Sequence, residues 1–551
     1  MHQPDYRGPS HSDFQLPWVY LHGIKDYVDM AGHLESNPKA KAVVNFAPVL
    51  LEQIEDYVEQ IDAWIERGER IGDPLLRALA GPTVPTQLGA RKDLIAACLK
   101  ANEQHLINGF PPFQKLAALA RDALHKPELA SYLGDQFLVD LLVWYHLAWM
   151  GEYPRRHDPR IRALEAQRQG FTSGQRRLLV TIVGDLLRGI VDRYRRLAEW
   201  GQVELSVTPY AHPILPLLLD LQSAKEALPH NPMPTASAYP GGEQRARWHI
   251  RRGLRIFEKH FGFKPAGCWP SEGAVSTETL RLLEEEGFQW AASGQKVLEN
   301  SLHAAAPGQG LSPNWVHTPY RLDHGKLHCF FRDDGLSDFI GFAYAKWHAD
   351  DAVANLAGHL ERIADDSVGR PCRIVSIILD GENAWEYYPK NGWYFLSALY
   401  ERLADHPKLE LTTFSEFLGR RHKPAPWLPR LVAGSWVYGT FSTWIGDKDK
   451  NRGWDMLIEA KRTFDRVAAS GRLNGEQLAA AELQLAHCEG SDWFWWFGDY
   501  NPGEAVSDFE RLFRSQLTHL YQMLGEAPPA YLDQVFAQGS GAPEMGGVMR
   551  R

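Results

Sequence analysis

Between residues 203 and 413 the chain alternates short β-branched, apolar runs with helical stretches, and that alternation limits the fold more than any other feature. Residues 203–208, 266–269, 288–292, 326–331, 373–379 and 409–413 read as strands, and 242–261, 276–286, 350–364 and 392–405 as helices. Strands and helices taking turns imply βαβ crossovers and a parallel sheet or barrel. The run 373–379 is continuously apolar, the pattern of a parallel strand covered on both faces. Upstream, 41–46 is a further strand. Pro48 then opens a helix whose apolar residues Leu50, Ile54, Val58, Ile61 and Ile65 recur at helical spacing until Gly68. From Pro74 to about Trp200 the pattern is helical throughout, and beyond Pro426 helices return at 452–468, 475–486 and 505–524.

Composition removes several functional classes. With 59 Lys+Arg against 68 Asp+Glu the net charge is −9, and no basic stripe of the kind that nucleic acid requires is visible. Five widely spaced cysteines without a CxxC fit a reducing compartment better than a disulfide framework. The first residues have neither a basic nor an apolar segment of the secretory kind, and 137–150 is too short to span a bilayer, so a cytoplasmic protein is expected. There is no Walker A, no GxGxxG before a helix and no GxSxG, which leaves a nucleotide cofactor or a serine nucleophile unsupported. The 63 aromatic residues (19 Trp, 20 Tyr, 24 Phe) often sit beside acids, as in a cleft with flat apolar walls and hydrogen-bonding edges.

Three stretches carry the candidate chemistry. In Gly267-Cys-Trp-Pro-Ser-Glu-Gly-Ala-Val-Ser276, between a strand and a helix, Glu272 stands where barrel enzymes place reactive groups. Its competing reading is a carboxylate favoured by the dipole of the next helix. In Ser376-Ile-Ile-Leu-Asp-Gly-Glu-Asn-Ala-Trp-Glu386, Asp380 ends the most apolar strand with Glu382 and Glu386 close by, a setting for a general acid, a cation site or a turn cap. In Ser491-Asp-Trp-Phe-Trp-Trp-Phe-Gly-Asp-Tyr-Asn501, Asp492 and Asp499 bracket aromatics that form either core or a ligand-facing wall. Arg332 reads more readily as a surface charge than as a clamp. His2 and His212 lie near prolines and could line a pocket. The pair His324 and His328 has i, i+4 spacing but falls at a glycine turn, so no catalytic metal is expected.

These residues together resemble glycoside hydrolase family 57, the α-glucan-acting α-amylases, amylopullulanases, glucanotransferases and branching enzymes. The resemblance spans His2 to about Asn501 and rests on five motifs in order: His2-Gln-Pro4; Glu204-Leu-Ser-Val-Thr-Pro-Tyr-Ala-His-Pro213; Cys268-Trp-Pro-Ser-Glu-Gly273; Leu379-Asp-Gly-Glu382; and Ser491-Asp-Trp-Phe-Trp-Trp496. It implies an α/β fold, an incomplete (β/α)7 barrel over 1–420 with a helical insertion at about 74–200. A C-terminal helical region, 426–535, would complete the cleft, with a disordered tail at 538–551. It implies Glu272 as nucleophile, Asp380 as general acid/base, and sugar contacts from His2, His212, Trp269, Arg332, Trp436 and Asp492. No metal or cofactor is implied, and the partner is an α-glucan, with neither nucleic acid nor membrane. The third and fifth motifs look most like those of the α-amylase and amylopullulanase group. The expected reaction is retaining hydrolysis of α-1,4 and some α-1,6 links. A glucanotransferase using the same carboxylates, a non-catalytic glucan-binding protein and a metal-dependent deacetylase are the alternatives. Two departures stand out. The family's first-motif strand has no counterpart upstream of Met1, so either translation starts earlier or the barrel lacks that strand. The fifth motif continues Gly498-Asp-Tyr500, where a second acid is expected in many relatives.

Overall fold

The computed structural model describes residues 1–8, 12–126, 129–308, 310–311, 315–322, 325–366, 373–382, 384–420 and 424–541. His324 and most of the glycine-rich tail lie outside them. The alternation produces one mostly parallel sheet of seven strands: β1 (Ala42–Phe46), β2 (Val203–Val207), β3 (Gly267–Cys268), β4 (Trp290–Ser293), β5 (Tyr320–Leu322), β6 (His328–Phe331) and β7 (Trp427–Leu428). Their spatial order is β1-β2-β3-β4-β6-β5-β7. The pairs β1–β2, β2–β3, β3–β4 and β4–β6 are parallel, while β5 returns antiparallel to β6. With its crossover helices and helical C-terminal region, this is the incomplete α/β barrel expected.

Local sequence explains most element ends. Pro48 occupies the first turn of helix Pro48–Arg67, which stops at Gly68 in the left-handed conformation. Thr172 and Gln175 form a reciprocal capping box at the start of Ser173–Glu199. Ser276 caps Thr277–Glu285 through the Thr279 N–H. At Gly267 a Cβ would fall 1.8 Å from the Trp290 ring, so only glycine lets that indole lie across β3.

Two expectations fail. Residues 373–379 do not form a ladder strand: they contact β6 through one parallel bridge, Arg332 to Ser376. Their other edge borders a cavity of about 750 Å³, also lined by Ala42–Asn45 of β1. Apolar composition favours burial there, but one bridge to the sheet, among the described residues, is too little to make a ladder. Residues 409–413 are likewise irregular, and Thr413 caps a helix at Phe414–Gly419. The structure also adds helices at Trp18–His22 and Val28–Ser36, joined by a π-turn at Gly23–Tyr27. No helix among the described residues is long and apolar enough to cross a membrane.

Candidate active site

At the C-terminal ends of the strands six distant stretches converge, from Met1 to Asp492. β3 delivers Trp269 and then Glu272, which lies in a short 3-10 turn and not in the next helix, with φ 59° and ψ 25°. A non-glycine residue in this left-handed region is strained, and such strain persists where surrounding contacts enforce it. Here the Trp436 N–H donates to the Glu272 carbonyl at 3.1 Å, and the Ser293 hydroxyl donates to the Gly273 carbonyl at 2.6 Å. His212, also at φ 59°, faces Glu272 with Nδ1 3.9 Å from Oε1.

The Glu272 carboxylate receives the Trp436 indole N–H at 2.9 Å. Burial pushes its pKa up to about 8, reinforced by Asp380 and Asp492 and opposed by charged His2 and the Trp436 bond. His2 stacks on His212 with ring centroids 3.6 Å apart, and its Nε2 bonds Asp492 at 3.0 Å. Burial alone would lower the His2 pKa. The Asp492 carboxylate, with Glu272 and Glu382 behind it, instead raises it to about 9. His212 goes the other way: burial and the neighbouring charge of His2 drive it well below the ordinary value. A neutral imidazole, held by the Ser491 hydroxyl at 2.8 Å, therefore lies under an imidazolium.

Asp380 lines the same cavity as Glu272, His2, His212, Trp269 and Trp436. Trp269 and Trp436 meet edge to face at 5.3 Å and 75°, forming an aromatic corner beside Glu272. Glu382 belongs neither to a cation site nor to a triad of free acids. It is buried and accepts the His2 backbone N–H at 2.8 Å and the Tyr27 hydroxyl at 2.6 Å. Sequence reasoning placed it in a crowd of acids but missed Tyr27, which sits on the π-turn that no periodicity signalled.

Arg332 is not a surface charge. It is buried, donating to the Ile378 carbonyl, Asp334 and Asp338 at 2.8–2.9 Å, and it lies 5.5 Å from the Trp436 ring centroid. Buried guanidinium requires such pairing, which here ties β6 to the segment carrying Asp380. The fifth motif divides its two readings. Trp493, Phe494 and Phe497 are core, Asp492 reaches the site, and Asp499 is exposed. Among the described residues, His2, His212 and Glu272 are the His/Cys/Asp/Glu group whose ligand atoms approach within 4.8 Å of one another. A metal there would have to displace the proton that Asp492 holds on His2.

A parallel barrel with buried carboxyl groups and an aromatic corner at its strand C-termini has the architecture of a carbohydrate-active enzyme. Residues 1–428 match the sequence pattern of glycosyl hydrolase family 57, and the chain belongs to that family. No curated protein matches the sequence as a relative. The fold is similar to that of the family 57 branching enzyme of Thermococcus kodakaraensis, with TM-score 0.60, 17% identity, and 95% of this chain and 88% of that one covered. It is also similar to a branching enzyme of Pyrococcus horikoshii (0.56, 16%, 100% and 98%) and to the α-amylase AmyC of Thermotoga maritima (0.52, 13%, 97% and 95%).

Proposed function

We propose that this chain is a retaining α-glucan hydrolase, cleaving α-1,4 and secondarily α-1,6 links of glycogen, starch or maltooligosaccharides. The observation that carries it is Glu272: a strained, partly buried carboxyl group held by Trp436 and facing one cavity with Asp380. Glu272 attacks the anomeric carbon while Asp380 protonates the departing oxygen; Asp380 then takes the proton of the incoming water as the ester is hydrolysed. Burial disfavours the Glu272 carboxylate, so conversion into a neutral glycosyl ester relieves its poor solvation. Imidazolium His2 offsets charge that Glu272 regains when the ester breaks. Trp269 and Trp436 offer apolar faces to sugar C–H groups and keep water from the cationic transition state. Asp492 and His212 orient His2, and Arg332 supports Trp436 from behind.

The second reading is a glucan transferase, in which a sugar hydroxyl replaces water. The names of the similar structures, two branching enzymes and an α-amylase, span both fates of the intermediate. We further assign residues 1–420 to the catalytic barrel and 426–535 to a helical region closing its cleft, in a cytoplasmic protein.

The test is product analysis from soluble starch, with and without chelator, beside Glu272→Gln and Asp380→Asn. Reducing ends that survive chelation and fall by about 10⁴-fold or more in either variant are expected. Near-normal release by both variants overturns the carboxylate assignment. Chain lengths that redistribute without new reducing ends establish the transferase instead.

A further inference from the structure

Residues 384–392 lead from the Asp380 motif into the helix Trp393–Ala404, and their far end is strained. Lys390, Asn391 and Gly392 are all left-handed, at φ 54°, 53° and 73°. Successive left-handed residues make a turn of the hand that L-amino acids disfavour, and two of these three carry side chains. Such a conformation persists only where its surroundings over-determine it, and strain of this kind gathers at functional sites. The turn folds the chain back on itself. A Cβ at Gly392 would fall 2.8 Å from the Trp385 ring, and Trp385 lines the same cavity as Asp380. Between them the Tyr387 and Tyr388 N–H groups donate to the Ala384 and Trp385 carbonyls at 3.3 and 3.1 Å, and the Tyr388 hydroxyl donates to the Ile340 carbonyl at 2.6 Å.

Buried charges from a distant part of the chain hold this turn. The Asn391 amide is used at both ends: its Oδ1 accepts from the Lys25 ammonium at 3.1 Å, and its Nδ2 donates to Asp29 at 2.9 Å. Lys25 is 2% exposed and also donates to Asp26 at 2.6 Å, with its Nζ 5.5 Å from the Trp149 ring centroid. Asp26 bonds His22 Nδ1 at 2.6 Å, and Asp29 accepts the Glu152 and Tyr153 N–H groups at 2.7 Å. Each anchor is thus fixed by further partners of its own. The residue type follows from the chemistry. Asparagine tolerates the left-handed region and presents an acceptor to the ammonium and a donor to the carboxylate. Aspartate would set two carboxylates together, and glycine would offer neither group. The same stretch reaches the near end of the loop: Lys25 and Tyr27 lie in the π-turn Gly23–Tyr27, and the Tyr27 hydroxyl donates to Glu382, two residues past Asp380, at 2.6 Å. Residues 25–29 therefore grip the loop on both sides.

We propose that Asn391 is a positioning residue for the general acid: with Lys25 and Asp29 it clamps the loop so that the Asp380 carboxyl stands at the departing glycosidic oxygen. The inference rests on the reaction proposed above for Asp380. A general acid must lie within hydrogen-bond reach of the oxygen that it protonates, and a displacement of about 1 Å lowers the rate by as much as about 10²-fold.

The experiment compares wild type with Asn391→Gly and Tyr27→Phe on two substrates. Glycine suits the left-handed backbone while deleting the amide, so the fold is kept and the clamp is lost. With maltoheptaose the departing sugar oxygen needs the Asp380 proton. With α-maltotriosyl fluoride the C–F bond breaks as the bond from Glu272 to carbon forms, and fluoride leaves with the electron pair and no proton. Asn391→Gly is expected to lower kcat on maltoheptaose by about 10-fold to 10²-fold with KM within about twofold, while first-turnover fluoride release stays within about threefold of wild type. Tyr27→Phe shows the same split on a smaller scale. Residue-resolved amide exchange at Tyr387 and Tyr388 should quicken by about tenfold in Asn391→Gly, with the helix Gly242–Phe261 unchanged as the folding control. Equal losses on both substrates, or an unchanged kcat on maltoheptaose, overturn the positioning role. Unchanged exchange overturns the clamp. A wild type inert on both substrates overturns the proposed function instead, and the exchange rates, which need no glucan, then decide the clamp by themselves.

Discussion

Two histidine–carboxylate pairs in this protein, one partly and one fully buried, end in opposite charge states. In the site, His2 meets Asp492 and is raised to about 9. Behind the barrel, His249 meets Glu489 at 2.7 Å, yet burial lowers its pKa. The difference is a third group. Arg245 donates twice or more to Glu489 at 2.7–3.1 Å and holds that carboxyl far below the usual range. The carboxylate is already compensated, so His249 stays neutral: Nε2–H donates to Glu489 and Nδ1 accepts the Ala211 N–H. Among the described residues Asp492 pairs with His2, which supplies the cation itself. A fixed guanidinium makes a structural joint; a histidine acting as the counter-charge makes a titratable site.

The comparison can be broken at its strongest point first. Glu489→Gln takes from buried Arg245 its nearer anion, leaving only Glu482 at 3.2 Å, and a loss of about 3 kcal/mol in denaturant unfolding is expected, with the pH profile of the remaining activity unmoved. Asp492→Asn removes the group that keeps His2 charged. Turnover on starch should fall by about 10²-fold, equivalent to about 2.7 kcal/mol, with little loss of fold. The wild-type pH profile sharpens the contrast. kcat/KM should rise as Glu272 ionises through about pH 8 and fall as His2 loses its proton above about 9. Stability follows the same sign. His2 has a folded pKa above its unfolded value of 6.5, so its contribution is complete below pH 6.5 and lost as pH rises through about 9. The stability gap between wild type and Asp492→Asn should close over that window. The smallest effect is Tyr27→Phe, which removes one hydrogen bond to Glu382. A cost of about 1 kcal/mol and a several-fold loss of turnover are expected, and an unchanged rate would show that Glu382 holds His2 without help.

Much of the framework could be read without coordinates. Five of the strands and the helix at Gly242–Phe261 lie where periodicity puts them. The motif residues Glu272, Asp380, Trp269, Trp436, His2, His212 and Asp492 were each named from the sequence. Arg332 was misread because an arginine beside two aspartates looks the same whether exposed or buried. The π-turn bearing Tyr27 was missed because its spacing matches neither a helical nor a strand period.

Sequence alone therefore determined most of the strands and long helices and the inventory of reactive groups, since those depend on preferences acting over a few residues. The tertiary structure decided which groups share a charge: His2 and Asp492 lie 490 positions apart, and only closure of the chain brings them together. It also decided that residues 373–379, apolar as they are, form no ladder among the described residues and meet the sheet through one bridge. A strand is completed by its neighbour's backbone, and no side-chain pattern can supply a neighbour.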